Sequence, residues 1–271
     1  MPALLPRFSI EQPSTLAEAS DMLRGFGEDA RAYAGGTELL LAMKYAGLRY
    51  EHLVDLKTIP GLDGIVEASE GLRIGALASH RAVERSPLVR ERFPALAELE
   101  AHVANPRVRA SGTLGGNLCF AEPHSDPATL LLCLDAQLAT SQRQLALADF
   151  LVGPYEVALE EGELLEAILI PWLLAGWRAH YRKVQFHERP MLGLALVTGD
   201  GQARVAIGSA SPTPRRCAAA EALLAEGRLD DAAEALADEA ELIDDLEGSA
   251  EYKRHLIHVE LGRAYEALLS C

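Results

Sequence analysis

The chain is poor in cysteine. Its 271 residues hold four, Cys119, Cys133, Cys217 and Cys271, scattered and with no Cys-x-x-Cys pair. That excludes a zinc site or an iron–sulfur cluster held by this chain alone, and reduced thiols are expected. Positive charge is scarce too: 25 Lys and Arg face 40 Asp and Glu, a net charge of −15. Nucleic acid is bound by clustered Lys and Arg, so no nucleic-acid partner is expected. No apolar run reaches the length of a membrane span. The start, Met1-Pro2-Ala3-Leu4-Leu5-Pro6-Arg7, lacks the basic and apolar regions of a signal peptide, so a cytoplasmic protein is expected. Also missing are the P-loop spacing Gly-x-x-x-x-Gly-Lys-Ser/Thr, a complete Gly-x-Gly-x-x-Gly at a strand-to-helix turn, and any Ser-His-Asp or Cys-His order that argues for a nucleophile. Among the histidines, only His255 and His258 share a helical face, and they read as surface residues rather than metal ligands.

What is present is a 49% hydrophobic composition, enough for a normal core in one large or two smaller domains. Two glycine pairs lie about 80 residues apart, in Ala34-Gly35-Gly36-Thr37-Glu38-Leu39 and Thr113-Leu114-Gly115-Gly116-Asn117. Paired glycines let consecutive N–H groups converge on phosphate oxygens, because no side chain holds the anion away. Either pair alone is also an ordinary turn. Together, each after an apolar stretch and before a new element, they point to two nests that grip a dinucleotide outside a Rossmann crevice. The first follows a short strand at 32–34 and precedes an apolar-striped helix over 37–46, whose N-terminus suits a diphosphate without any lysine. Glu38 in its first turn is favourable with or without a ligand, and Asp126, ahead of an apolar helix over 128–134, either caps that helix or touches a ligand.

The remaining pattern is α/β grammar in the first part: a helix over 16–26, strands at 53–56 and 72–76, a helix from His80 capped by Ser79, and helices opened by Pro87 and Pro94. After a break at 171–176 come three strands, 181–186, 193–198 and 203–208, the last two joined by an Asp200-Gly201 hairpin turn. Three helices follow, over 217–225, 230–240 and 252–269. The acidity of 230–247 reads as a solvated helical face.

In order along the chain, Ala34-Gly35-Gly36-Thr37-Glu38-Leu39-Leu40, His52-Leu53-Val54-Asp55-Leu56, Ile74-Gly75-Ala76, Val108-Arg109-Ala110-Ser111-Gly112-Thr113-Leu114-Gly115-Gly116-Asn117, Ile170-Pro171, Tyr181-Arg182-Lys183 and Gly248-Ser249-Ala250-Glu251-Tyr252 resemble the FAD-binding medium subunit of the molybdenum hydroxylases. The resemblance runs end to end. It implies an α+β chain: two α/β subdomains of an FAD-binding domain over 1–175, with their boundary near 55–62, then a small domain over 176–271 with a three-stranded antiparallel sheet and three helices.

The same resemblance implies an oxidoreductase subunit that carries FAD. Electrons would come from a small partner with two [2Fe–2S] clusters, fed by a large molybdopterin subunit, and would leave to an external acceptor; the assembly would be a dimer of heterotrimers. By match to the family, Ala34, Gly35, Gly36, Thr37, Glu38 and Leu39 with Thr113, Gly115, Gly116 and Asn117 form the diphosphate and ribityl loops. Asp126 matches a carboxylate that hydrogen-bonds the cofactor, and Leu165 an apolar residue beside the flavin or adenine. Lys183 matches a lysine whose ammonium would favour a negatively charged reduced flavin; its alternative is a solvent-facing strand residue. The stretch Thr140–Ala148 and the loop His187-Glu188-Arg189-Pro190 depart from the family, so neither the acceptor nor the substrate follows. Two other classes stay open: a self-sufficient flavin oxidase or dehydrogenase, and a nucleotide-binding assembly subunit without catalysis. Arg107, Arg109 and the acidic C-terminal helices are candidate contact surfaces.

Overall fold

The computed structural model describes residues 4–186, 189–242 and 244–269. His187, Glu188 and Cys271 lie outside them. The first layer is a small parallel sheet. Strand β1 (Ser9–Glu11) leads to helix α1 (Leu16–Phe26), then β2 (Ala30–Tyr33), helix α2 (Leu39–Tyr45) and β3 (His52–Asp55), in the order β1-β3-β2. Helix α1 starts where Thr15 accepts the Glu18 N–H, a cap that contributes about 1 kcal/mol. It buries Ala19 with Val54, Leu56, Ile59 and Leu62. Helix α2 is two residues later at its start than the sequence pattern suggests, because residues 34–38 are occupied by a turn.

The second unit is built on a five-stranded antiparallel sheet. Strands β4 (Ile65–Ala68) and β5 (Gly71–Gly75) are followed by helices α3 (His80–Arg85), α4 (Pro87–Arg92), α5 (Pro94–Ala101), α6 (Pro106–Ser111), α7 (Leu114–Phe120) and α8 (Asp126–Cys133). The hairpin β6 (Gln137–Thr140) and β7 (Gln144–Ala146), helix α9 (Leu147–Phe150), the small hairpin β8 (Leu151–Gly153) and β9 (Glu156–Val157), and β10 (Leu165–Pro171) complete it. Its order is β4-β5-β10-β6-β7. Ile168 sits opposite Ile74 on one side and Leu138 on the other, so β10 is the spine of the main core.

The C-terminal unit holds the three expected strands, β11 (Arg178–Gln185), β12 (Pro190–Gly199) and β13 (Gln202–Gly208), extended at the edge by the two-residue β14 (Arg215–Arg216). Asp200 and Gly201 both have positive φ, 51° and 71°, as a two-residue hairpin turn requires. The period of two sorts β12 between two cores: Leu192, Leu194 and Leu196 meet helices α10 (Ala218–Ala225), α11 (Leu229–Glu239) and α12 (Ala250–Leu269), while Ala195 and Val197 belong to the core around α8. The sheet is therefore sandwiched, and α8 is the joint between the second unit and the C-terminal unit. Among the described residues no helix is long and apolar enough to cross a membrane.

Candidate functional site

The two glycine segments meet backbone on backbone. A Cβ on Gly35 would lie 2.1 Å from the Ser111 carbonyl oxygen and 2.7 Å from Gly112 Cα. A Cβ on Gly112 would lie 3.2 Å from Thr37 Oγ1, and one on Gly116 3.7 Å from Ala34 Cβ. At Gly35 no side chain fits between them. Gly36 has φ +70° and presses on the Tyr33 ring, where a Cβ would come within 2.4 Å of Cε2; only glycine takes that conformation at little cost.

The donors are unevenly divided. In the first segment, the N–H groups of Gly35, Gly36, Thr37, Glu38 and Leu39 reach no acceptor among the described residues, five consecutive donors that a phosphate-bearing ligand would satisfy. Glu38 stands at the N-cap of α2 and its carboxylate caps nothing. The second segment corrects the expectation of a second nest. Its Leu114 and Gly115 N–H groups donate to the Ala78 and Ala76 carbonyls at 2.9 and 3.0 Å. Gly116 N–H donates to Thr113 Oγ1 at 3.0 Å, and Asn117 N–H to the Thr113 carbonyl at 2.9 Å. Gly115 and Gly116 lie in the first turn of α7, held against Ala76, whose Cβ and carbonyl oxygen would both be 2.6 Å from a Cβ at Gly115. This segment offers close approach, the Thr113 hydroxyl hydrogen and the Asn117 amide NH2. The Asn117 Oδ1 accepts from Ser125 Oγ at 2.6 Å.

Next to Ser125, Asp126 opens α8. The capping reading of Asp126 is not what the structure shows: its Oδ1 accepts from Tyr181 Oη and its Oδ2 from Lys183 Nζ, each at 2.7 Å. Lys183 also donates to the His102 carbonyl at 3.2 Å and its side chain is 17% exposed, so it is not a solvent-facing strand residue. Burial, and then the Asp126 carboxylate, push the Tyr181 hydroxyl well above its ordinary range. The approach depends on small residues in β12 and β13. Gly193 and Gly208 are paired in register, and a Cβ there would meet Tyr181 Oη at 2.2 Å and Thr129 Oγ1 at 2.0 Å respectively. Leu165, buried at the start of β10, joins the site only indirectly: the next carbonyl, Glu166, accepts the Ala76 N–H, and Ala76 in turn accepts that of Gly115.

Two residues at this site were missed. Tyr181 carries a readable signal, being two positions before Lys183 and so on the same strand face. Lys57, on the turn after β3, donates to the Ala34 carbonyl at 2.8 Å and has no periodic signal. Arg109, a candidate contact surface, is instead engaged inside, with Glu84 Oε2 at 3.3 Å and the Val103 carbonyl at 2.9 Å. His258 pairs with Glu234 at 3.0 Å, and among the described residues no group of His, Cys, Asp and Glu could hold a metal. Burial pushes the Cys119 thiol up to about 12.

Behind Gly112 lies a buried pair, His80 Nδ1 to Glu100 Oε2 at 2.6 Å, with side chains 4% and 0% exposed. Burial alone lowers the His80 pKa, but the charge and hydrogen bond of Glu100 outweigh it and the net shift is upward. A pKa raised on folding contributes stability that is complete below the unfolded value, ~6.5, and is lost as pH rises through the folded value. The unfolding free energy measured by urea titration is therefore expected to fall through this pair as pH rises above about 6.5. Glu100→Gln should flatten that slope; an unchanged slope would remove the pair from the account.

A family model described as the FAD binding domain in molybdopterin dehydrogenase matches residues 6–173, and one described as the CO dehydrogenase flavoprotein C-terminal domain matches residues 201–268. The carbon monoxide dehydrogenase medium chain of Hydrogenophaga pseudoflava is 32% identical over 278 aligned positions, covering 97% of each chain. A putative xanthine dehydrogenase FAD-binding subunit of Escherichia coli is 33% identical over 79% of this chain and 77% of its own length. A solved carbon monoxide dehydrogenase chain from Hydrogenophaga pseudoflava superposes with a TM-score of 0.93 at 32% identity, over 98% of this chain and 99% of that one. Quinoline 2-oxidoreductase from Pseudomonas putida matches with a TM-score of 0.90 at 27% identity, over 98% and 99%. The chain belongs to the family of FAD-binding medium subunits of the molybdenum hydroxylases.

Proposed function

We propose that the chain is the FAD-carrying, electron-transferring subunit of a molybdopterin- and iron–sulfur-dependent oxidoreductase. The observation that carries the reading is the run of five amides, Gly35 to Leu39, with no acceptor among the described residues, beside a backbone-only cradle closed by Ser111 and Gly112. That donor set suits a diphosphate bound by dipoles, with Thr37, Thr113 and Asn117 adding neutral hydrogen bonds. Bound FAD supplies the exchange between one-electron transfer from [2Fe–2S] clusters and two-electron delivery to an external acceptor. The protein's part is to bind, orient and shape the field. Lys183, held by Asp126, places an ammonium at the joint between the two units, and Leu165 closes the core beneath. No side chain is required as a nucleophile.

The partners that go with this role are a large molybdopterin subunit and a small [2Fe–2S] subunit, arranged as a dimer of heterotrimers in the cytoplasm. A self-sufficient oxidase would need its own acid or base free over the flavin, and Asp126, the buried carboxylate at this joint, is already paired with Lys183 and Tyr181. The test is direct. The purified chain is expected to show flavin absorption and to release one FAD per chain on heating, identified by chromatography. A colourless chain that also refuses added FAD would overturn the electron-transfer role and leave assembly as the function.

A further inference from the structure

Lys57 lies outside every motif that points to the cofactor, yet it holds the first glycine segment directly. The residue sits on the short turn Leu56–Thr58 that follows β3. This turn is locked from both ends: Asp55 Oδ1 accepts the Lys57 N–H at 3.0 Å, and Thr58 Oγ1 donates to the carbonyls of Pro13 and Asp55 at 2.5 and 2.8 Å. Asp55 also holds the ammonium, Nζ to Oδ1 at 2.6 Å. So anchored, Nζ donates to the Ala34 carbonyl at 2.8 Å and lies 3.8 Å from the centroid of the Tyr33 ring. Tyr33 is the residue in register with Asp55, and its ring is the surface on which Gly36 rests.

The consequence follows from the planarity of the peptide unit. In a trans peptide, C=O and N–H point in opposite directions. Fixing the Ala34 carbonyl on Lys57 therefore fixes the Gly35 N–H facing away from Lys57, and that N–H is the first of the five amides with no acceptor in the described chain. With Gly36 set by the same Tyr33 ring, one ammonium orders the start of the donor run. We propose that Lys57 is a positioning residue for the diphosphate of the bound dinucleotide: together with Asp55 it holds the Ala34–Gly35 peptide in the orientation that presents its N–H to a phosphate oxygen. This rests on the FAD reading above and deepens it. A pre-set donor loses no orientational freedom on binding, so the gain appears as affinity.

The experiment uses the full chain stripped of FAD, with Lys57→Met, which keeps the length and loses the charged donor, and Lys57→Arg, which keeps a charged donor. Lys57→Met is expected to weaken FAD by about tenfold, ~1.4 kcal/mol, and to weaken ADP, which has the diphosphate without the flavin, by a similar factor. The 31P resonances of FAD bound to Lys57→Met should shift from those of the parent, and Lys57→Arg should recover part of the affinity. The FAD-free variants should melt with the parent, because a half-exposed ion pair adds little to global stability. A Lys57→Met chain that binds FAD and ADP like the parent, with unmoved 31P resonances, overturns the positioning role alone. So does one whose melting temperature falls while affinity holds. A parent chain that takes up no FAD overturns the FAD reading and this proposal together.

Discussion

Gly35→Ala is expected to abolish FAD retention, with affinity at least ~100-fold weaker, while leaving most of the fold in place. The obstacle is steric. The added carbon would overlap the Ser111 carbonyl oxygen at 2.1 Å, the Gly112 Cα at 2.7 Å and the Ser111 carbonyl carbon at 2.8 Å. All three are backbone atoms and no rotamer relieves them, so the two segments must separate. Separation moves the Gly35–Leu39 donors relative to Thr113 and Asn117, which the ligand must reach together. Positive φ is not involved at Gly35, so conformational strain adds nothing and the effect isolates the close approach. Gly25 supplies the control. It lies exposed in α1 with nothing within 4 Å of a Cβ, and Gly25→Ala should stabilise by about 0.5–1 kcal/mol with FAD binding intact. Fluorescence titration of FAD against the two variants decides it. A Gly35→Ala chain within about threefold of the parent in affinity would mean that the segments are not jointly required.

That the two glycine pairs matter was legible in the sequence, because paired glycine after an apolar run has few uses. Their division of labour was not. Gly115 is glycine because helix α7 is pressed onto Ala76, and this contact joins positions nearly forty residues apart with no local trace. A sequence can show that a backbone needs room; it does not show whether a ligand or another strand fills it. The hairpin at Asp200-Gly201 and the start of α3, capped by Ser79, were readable for the opposite reason, since both are decided within four residues. Strands β4 and β6 to β9 are short, and β4 is largely exposed, so they carry too few buried positions for a period of two to stand out. Lys57 and Tyr181 are cases in which the side chain acts on a backbone or carboxylate brought there by the fold.

Asp126 shows how a residue singled out in the sequence can make contacts other than the expected ones. An acidic residue ahead of a helix suggests a cap, but in α8 the carboxylate turns towards β11 and is shared by Tyr181 and Lys183. Asp126→Ala would leave the buried Tyr181 hydroxyl without its carboxylate acceptor, and the Lys183 ammonium, 17% exposed, without its counter-ion and with the His102 carbonyl as its acceptor. Removing one partner of a buried ion pair costs about 3–5 kcal/mol; the partial exposure of Lys183 places the expected loss near ~3 kcal/mol. Because α8 is the joint between the two cores, the loss should also loosen the C-terminal sheet and speed FAD release. Removing the charge from both sides should cost less than the sum of the singles. Asp126→Asn and Lys183→Met are each expected to destabilise by about 1–2 kcal/mol, with a coupling of ~1 kcal/mol in the double variant. Urea titration of the four chains measures that cycle. A coupling near zero, with each single change within about 0.5 kcal/mol of the parent, would make Lys183 an ordinary solvated lysine and return Asp126 to the role of a local helix residue.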